Sequence, residues 1–184
     1  MKYFKGIIIL ILLMSFLVIG TSYALWTQDS EIKFALTIST PPEEEFTCGT
    51  YDTIQEGIDL LKGSKYNFIA SRLDNFANML AARVTELNNL PVGGITWDEL
   101  LHECAEYRDV ANNKFGGYLN KYGQCINKLA DFYNQSTPEE KAAVPDFWDQ
   151  HTALWALHSQ LWNKRSTLYT AINEVQEAGE TKIK

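Results

Sequence analysis

Residues 147–172 read FWDQHTALWALHSQLWNKRSTLYTAI and repeat their residue types every seven positions. Two adjacent columns of this repeat are apolar or aromatic: Phe147, Leu154, Leu161 and Leu168, followed by Trp148, Trp155, Trp162 and Tyr169. Together they form an apolar stripe about 100° wide, a width that suits burial against two other helices. The stretch therefore predicts a long helix whose tryptophans belong to a bundle core. If two helices cannot cover the three indoles, Trp148, Trp155 and Trp162 are the predicted surface for a partner.

Three helix starts share one local signal. Thr53, Thr96 and Thr137 each stand three residues before a glutamate, as the capping box requires. Each box precedes a helical pattern, and Leu90-Pro91-Val92-Gly93-Gly94 and Asn134-Gln135-Ser136 separate the helices. The chain is predicted to be all-α, an elongated antiparallel three-helix bundle over residues 51–178 with a tail at 179–184.

Details within the helices follow from single positions. A seam on the second helix is predicted to run from Trp97 and Leu101 through Cys104 to Phe132, with Arg108 as its one charge. A kink is expected at Gly63-Ser64, and a bend or restart of the third helix at Pro145. Gly116-Gly117 and Gly123 lie inside the second helix, where they allow either close approach of a neighbouring helix or a kink.

The N-terminus has the layout of a secretory signal. Lys2 and Lys5 precede the apolar run 7–20, and Ser22-Tyr23-Ala24 supplies small residues at the −3 and −1 places of a cleavage site. Residues 1–24 are thus a predicted signal peptide. The alternative is a retained anchor, since extending the run to Trp26 would make it long enough to span a membrane.

An extended arm is predicted over residues 25–50. Apolar residues alternate with others in EIKFALTIST, residues 31–40, which indicates a strand, and the acidic proline linker PPEEE follows. A lone strand leaves backbone groups unpaired. The strand therefore either lies along the bundle as an irregular arm or pairs with another chain, which would make the protein self-associate.

The junction at residues 22–26, SYALW, followed by the strand pattern of residues 32–40, resembles the start of camelysin/TasA-type exported proteins. In that family a similar segment begins a β-sandwich, and some members form extracellular fibres. The resemblance covers residues 15–40, and the helical remainder departs from the family's all-β fold. It implies export and strand-mediated assembly, and neither the sandwich nor protease activity.

Charge limits the classes of partner. The formal net charge is −7, and without Lys2 and Lys5 the chain has 14 basic and 23 acidic residues. Nucleic acid and anionic lipid both require a basic surface, so neither is expected as a partner. A protein partner or self-association is predicted instead, with contact to a membrane only if residues 1–24 are retained.

Metal-site candidates are sparse. Glu99, His102 and Glu106 share a helix face in one ExxH pattern, whereas di-iron bundles need two such motifs and two further glutamates. His151 and His158 are seven residues apart, about 10 Å along a helix, and cannot share one ion. They are expected on the flank of the bundle with packed rings and solvated nitrogens. No metal and no cofactor is predicted.

The cysteines can be placed by folding the helices onto each other. Cys104 and Cys125 are about 31 Å apart on one helix, too far for a disulfide. Cys48 precedes the first helix, at the end of the bundle where the second helix finishes. A Cys48–Cys125 disulfide with a buried free Cys104 is therefore predicted. Asn134 heads a glycosylation sequon on a predicted turn.

No nucleophile elbow, HExxH motif or nucleotide-binding glycine loop is present in the sequence. The sequence predicts an exported, non-enzymatic protein with a structural or protein-interaction role outside the cell, capable of assembly through residues 31–40. Two alternatives stay open. One is a bundle that binds a ligand or metal between its helices, and the other is a membrane-anchored interaction module.

Overall fold

The computed structural model describes residues 45–184, and all its regular elements are helical. The predicted all-α class is confirmed for this part of the chain. The predicted signal peptide, the strand at residues 31–40 and most of the linker lie outside the described residues.

Three long helical stretches contain six α-helices and two π-helical segments. The first stretch consists of α1 (Ile54–Leu60), a π-helical segment (Leu61–Lys65) and α2 (Tyr66–Asn89). The second consists of α3 (Trp97–Asp109), a π-helical segment (Val110–Phe115) and α4 (Gly116–Gln135). The short α5 (Pro138–Ala142) then precedes α6 (Phe147–Glu180).

Side-chain contacts give the directions of the stretches. Tyr66 in the first stretch bonds to Gln160 in the third, and Lys182 in the third bonds to the carbonyl of Asn88 in the first. Residue numbers therefore increase in the same direction along both stretches, which are parallel. In the second stretch, the Leu119 carbonyl bonds to His158, and the earlier residue Arg108 bonds to the later residue Gln176. The second stretch is therefore antiparallel to the third. The stretches therefore run up, down and up.

All three predicted capping boxes are formed. In each, the threonine hydroxyl accepts the N–H of the glutamate three residues on, and that glutamate accepts the N–H of the threonine: Thr53–Glu56, Thr96–Glu99 and Thr137–Glu140. These bonds satisfy donors that a helix N-terminus otherwise leaves unpaired. The third helix restarts after Pro145, as expected, because α5 ends at Ala142 and α6 begins at Phe147.

The bundle core is formed by one inward column from each long helix. Phe147, Leu154, Leu161 and Leu168 are at most 1% exposed, so this column of the opening stretch is core. The predicted seam of the second helix is wrong at its start. Trp97 and Leu101 are 45% and 41% exposed, because the neighbouring Leu100 points inward, where its side chain packs on Gly179.

A disulfide joins Cys48 to Cys125, with a Cα–Cα distance of 5.3 Å. This is the pairing that folding the helices predicts, and Cys104 is free and buried. Phe46 is buried beside Phe68 and Tyr118. The residues before α1 thus pack on the groove between the first and second stretches.

Candidate functional site

The prediction that the tryptophan column on α6 is core is wrong for Trp148 and holds only in part for Trp155 and Trp162, which pack against the core without being fully buried. Trp148 is 52% exposed, and Trp155 and Trp162 are half-buried. The indoles are kept partly exposed by a neighbouring column of α6, which lies four residues after Phe147 and Leu154. That column holds His151 and His158, and the indoles pack over the histidine rings instead of entering the core.

Aromatic rings follow one another along the edge of α6. The Trp148 and His151 centroids are 5.5 Å apart, and those of Trp155 and His158 are 5.1 Å apart, each in an edge-on arrangement. At one end, Trp148 packs edge-on against Tyr133. At the other end, the Arg165 guanidinium lies 5.0 Å from the Trp162 ring centroid. Edge-to-face contacts of this kind hold the rings in place.

His158 lies between a donor and an acceptor. Its Nε2 is 3.0 Å from the Leu119 carbonyl oxygen and 3.0 Å from Nε1 of Trp162. The indole N–H can only donate, so Nε2 accepts from Trp162 in one tautomer and donates to Leu119 in the other. A neutral His158 thus makes one of these two bonds at a time. Burial lowers its pKa, and the Leu119 carbonyl partly offsets this shift.

His151 differs from His158 because its Nε2 is buried with no hydrogen-bond partner among the described residues. Its ring packs against Phe147 and Trp148. Burial lowers the pKa of His151. The prediction of packed rings is therefore right for both histidines, and that of solvated nitrogens is wrong for Nε2 of His151.

Opposite the indoles, α4 offers small residues. A Cβ on Gly123 would lie 3.4 Å from Nε2 of His158 and 3.5 Å from Cη2 of Trp155, so both rings face this position of α4. Gly116 similarly faces Arg165 at 3.9 Å, whereas a Cβ on Gly117 would meet nothing within 4 Å. Gly123 and Gly116 thus face α6, and a Cβ at either position would meet its neighbours at ordinary van der Waals distance. Ala130, seven residues beyond Gly123, continues this column.

Beside the small residues runs a column of amides that the sequence analysis missed. Asparagine recurs every seven residues on the second stretch, and each copy is exposed: Asn113, Asn120, Asn127 and Asn134. Asn120 and Asn127 lie three residues before and four after Gly123, which places them on the helix face that meets Trp155. Stacking residues 113–134 in sevens would have revealed this column, as it did the tryptophans. We call Trp148, Trp155, Trp162, Asn120 and Asn127 the Trp–Asn surface.

The other candidate residues do not form a site. Glu99 accepts hydrogen bonds from Thr96, which lower its pKa, and His102 pairs with Glu106 at 3.1 Å on the exposed side of α3. No group of three metal-ligating side chains occurs among residues 45–184. The exposed Asn134, the glycosylation candidate, accepts a bond from Lys141 through its backbone carbonyl.

One buried acid also escaped the sequence analysis. Glu103 is 7% exposed and accepts two bonds from Arg83, at 2.7 and 3.0 Å, and one from Tyr107 at 2.6 Å. Burial, followed by the bond to Glu103, raises the pKa of Tyr107 far above its ordinary value. Both oxygens of Glu103 thus accept hydrogen bonds inside the bundle. The Arg83–Glu103 pair links α2 to α3 and leaves no carboxylate oxygen unbonded.

Comparison with protein-family models, curated proteins and solved structures finds no match to this chain. Within residues 45–184, none of the helices combines the length and apolar character needed to cross a membrane.

Proposed function

We propose that this protein is an exported, non-enzymatic helical module with a structural or interaction role at the cell surface or outside the cell. Its contact surface is the Trp–Asn surface. The observation that carries the proposal is the half-exposed tryptophan column beside a fully buried column of phenylalanine and leucine. Large aromatic side chains with exposed area and fixed rings are typical of binding surfaces.

Two features support export. The N-terminal 24 residues have the layout of a secretory signal, and the Cys48–Cys125 disulfide suits an oxidising compartment. Two features of the described residues support a non-enzymatic role. The His151 and His158 rings pack against tryptophans, and both oxygens of the buried Glu103 accept hydrogen bonds from Arg83.

Fractionation of source cells tests this proposal. The protein should be recovered outside the cytoplasm, with Cys48 and Cys125 in one non-reduced peptide pair and a mature N-terminus near Leu25. Recovery in the cytoplasm with both thiols reduced would contradict export. A mature chain that still begins at its first residues would indicate the membrane-anchored form instead.

Assembly through residues 31–40 is part of the proposal and is tested separately. Native size and electron microscopy are compared for the mature chain and for a variant that lacks residues 25–45. Loss of large assemblies in the variant would support strand pairing between chains. An unchanged monomer in both samples would remove it and leave the Trp–Asn surface unaffected.

A further inference from the structure

We infer that the Trp–Asn surface binds an uncharged, extended β-linked polysaccharide. The inference rests on the proposed function and specifies the chemistry of its partner. Three features of the surface support it: the spacing of the indoles, the neutral residues between them, and the hydrogen-bonding groups beside the rings.

The spacing comes first. Tryptophans at 148, 155 and 162 recur every seven residues on one continuous helix, about 10 Å apart along its axis. In a β-1,4-linked glycan each ring is turned over relative to its neighbour, so equivalent ring faces recur once per disaccharide. That interval is close to the interval between these indoles. A pyranose places C–H groups on its face, and these pack against the electron-rich face of an indole.

Charge comes second. The positions of α6 that line the surface are neutral or aromatic between the first and last indole: His151, Thr152, Trp155, His158 and Ser159. The facing positions of α4 up to Ala130 carry no charge either: Leu119, Asn120, Gly123, Asn127 and Ala130. Charges stand at the ends of the surface: Arg165 lies over the Trp162 ring, Lys141 lies over the ring of Tyr133, which packs against Trp148, and the exposed Asp131 follows Asn127 by four residues. Between these ends the lining residues are neutral in a chain of net charge −7, which suits an uncharged ligand.

Hydrogen-bonding capacity comes third. Asn120 and Asn127 are exposed and recur with the same seven-residue interval as the indoles. A carboxamide both donates and accepts, and so does a sugar hydroxyl, so one amide can bind a hydroxyl in either sense. The aromatic rings form a single line along α6, whereas protein interfaces usually centre on one broad apolar core. This favours a repeating polymer over a folded protein partner.

The test uses the purified full chain and defined polymers. Retention is measured on chitin and on cellulose, with starch as an α-linked neutral control, and affinity on hexamers of N-acetylglucosamine and of glucose. The two β-linked polymers differ in their acetamido groups, so comparing them identifies the preferred sugar. We expect retention on at least one β-linked polymer and none on starch.

Variants assign the binding to the surface. Trp148→Ala removes the most exposed indole of the surface and one stacking face with it, and should weaken hexamer binding about tenfold, which corresponds to about 1.4 kcal/mol. The double variant Asn120→Ala/Asn127→Ala removes exposed amides only and should also weaken binding with the thermal midpoint unchanged. Trp97→Ala is the matched control, since Trp97 is similarly exposed at 45% but stands beside Asp98 and Glu99.

Failure of the wild-type chain to bind either β-linked polymer would overturn the inference. So would equal loss of binding in Trp97→Ala and Trp148→Ala. If the indole N–H signals of the Trp–Asn surface shift only as protein concentration rises, the occupant is a second copy of this chain. That outcome rejects the polysaccharide and leaves the proposed interaction role standing.

Discussion

The hydroxyl of Tyr122 donates a 3.0 Å hydrogen bond to the backbone carbonyl of Leu61. Leu61 begins the π-helical segment of the first stretch, where the regular pattern of α-helical bonds changes. Arg165 acts similarly on the second π-helical segment, where its Nε donates to the Ala111 carbonyl at 2.6 Å. At each segment, a side chain from another stretch therefore binds a carbonyl.

Removing the Tyr122 hydroxyl should destabilise the fold. Tyr122→Phe leaves the Leu61 carbonyl without this donor at a site where Tyr122 is fully buried, which costs about 1–3 kcal/mol. Tyr66→Phe is the matched control, because the Tyr66 hydroxyl bonds Gln160 at an exposed position. Urea unfolding measures both variants. Equal midpoints for the two would show that the bond to Leu61 contributes nothing specific.

The disulfide should provide much of the stability. Cys48 and Cys125 are 77 residues apart, and closing a loop of that size stabilises a fold by about 4 kcal/mol in the chain-entropy description. The double variant Cys48→Ser/Cys125→Ser should unfold at correspondingly lower urea concentration. Alkylation of Cys104 provides a second measurement, since this thiol is buried and should react only on unfolding. Labelling of Cys104 in the native wild type would contradict its placement.

Stability should fall as the solution is acidified below about pH 6.5. The folded-state pKa values of His151 and His158 are both below the ordinary 6.5, and burial is the main cause. Between the folded and unfolded pKa values, the unfolded chain binds more protons, so the free energy of unfolding decreases as pH falls through this window. Above it both states are neutral at these rings and the histidines add no pH dependence.

The measurement is the thermal midpoint of the wild type and of His151→Gln between pH 7.5 and 5.5. The variant should lose less stability over this range than the wild type. Ala153→Gln, an exposed position on the same helix with no titratable group, is the control and should behave like the wild type. An identical slope for wild type and His151→Gln would reject the role of burial at His151.

Breaking the buried ion pair should be costly. Arg83→Met leaves the Glu103 carboxylate buried without its cation, which is expected to cost about 3 kcal/mol. Glu86→Gln is the comparison, because Glu86 also pairs with Arg83 but its side chain is 67% exposed; its loss should cost less than about 0.5 kcal/mol. Urea denaturation distinguishes the two, and similar losses would contradict a special role for the buried partner.

The helical class and the helix starts could be predicted because local chemistry determines them. A threonine and a glutamate at the right spacing form a capping box whatever packs around them, and all three boxes are formed. The Cys48–Cys125 pairing followed from helix lengths and short connections. Each of these inferences required only distances along the chain.

The positions of the aromatic side chains could not be predicted with the same rule. Trp148 and Leu154 are both hydrophobic, but only the column of Leu154 points toward the bundle axis and is buried. At Trp97 and Leu101 a shift of one residue, to Leu100, changes which side chain enters the core. Such rotations depend on all three helices together. The sequence does not predict the π-helical segments as such. It predicts a kink at Gly63-Ser64, and these residues lie within the first π-helical segment.

We propose that the Trp–Asn surface is occupied outside the cell. Tryptophan footprinting on intact source cells tests it most directly, with a reagent that does not cross membranes. The rate of oxidation of Trp148 on cells is divided by its rate in the purified protein, and the same ratio is taken for Trp97. We expect a clearly lower ratio for Trp148 than for Trp97, because only Trp148 lies on the proposed contact surface. Equal ratios at the two positions would contradict the claim.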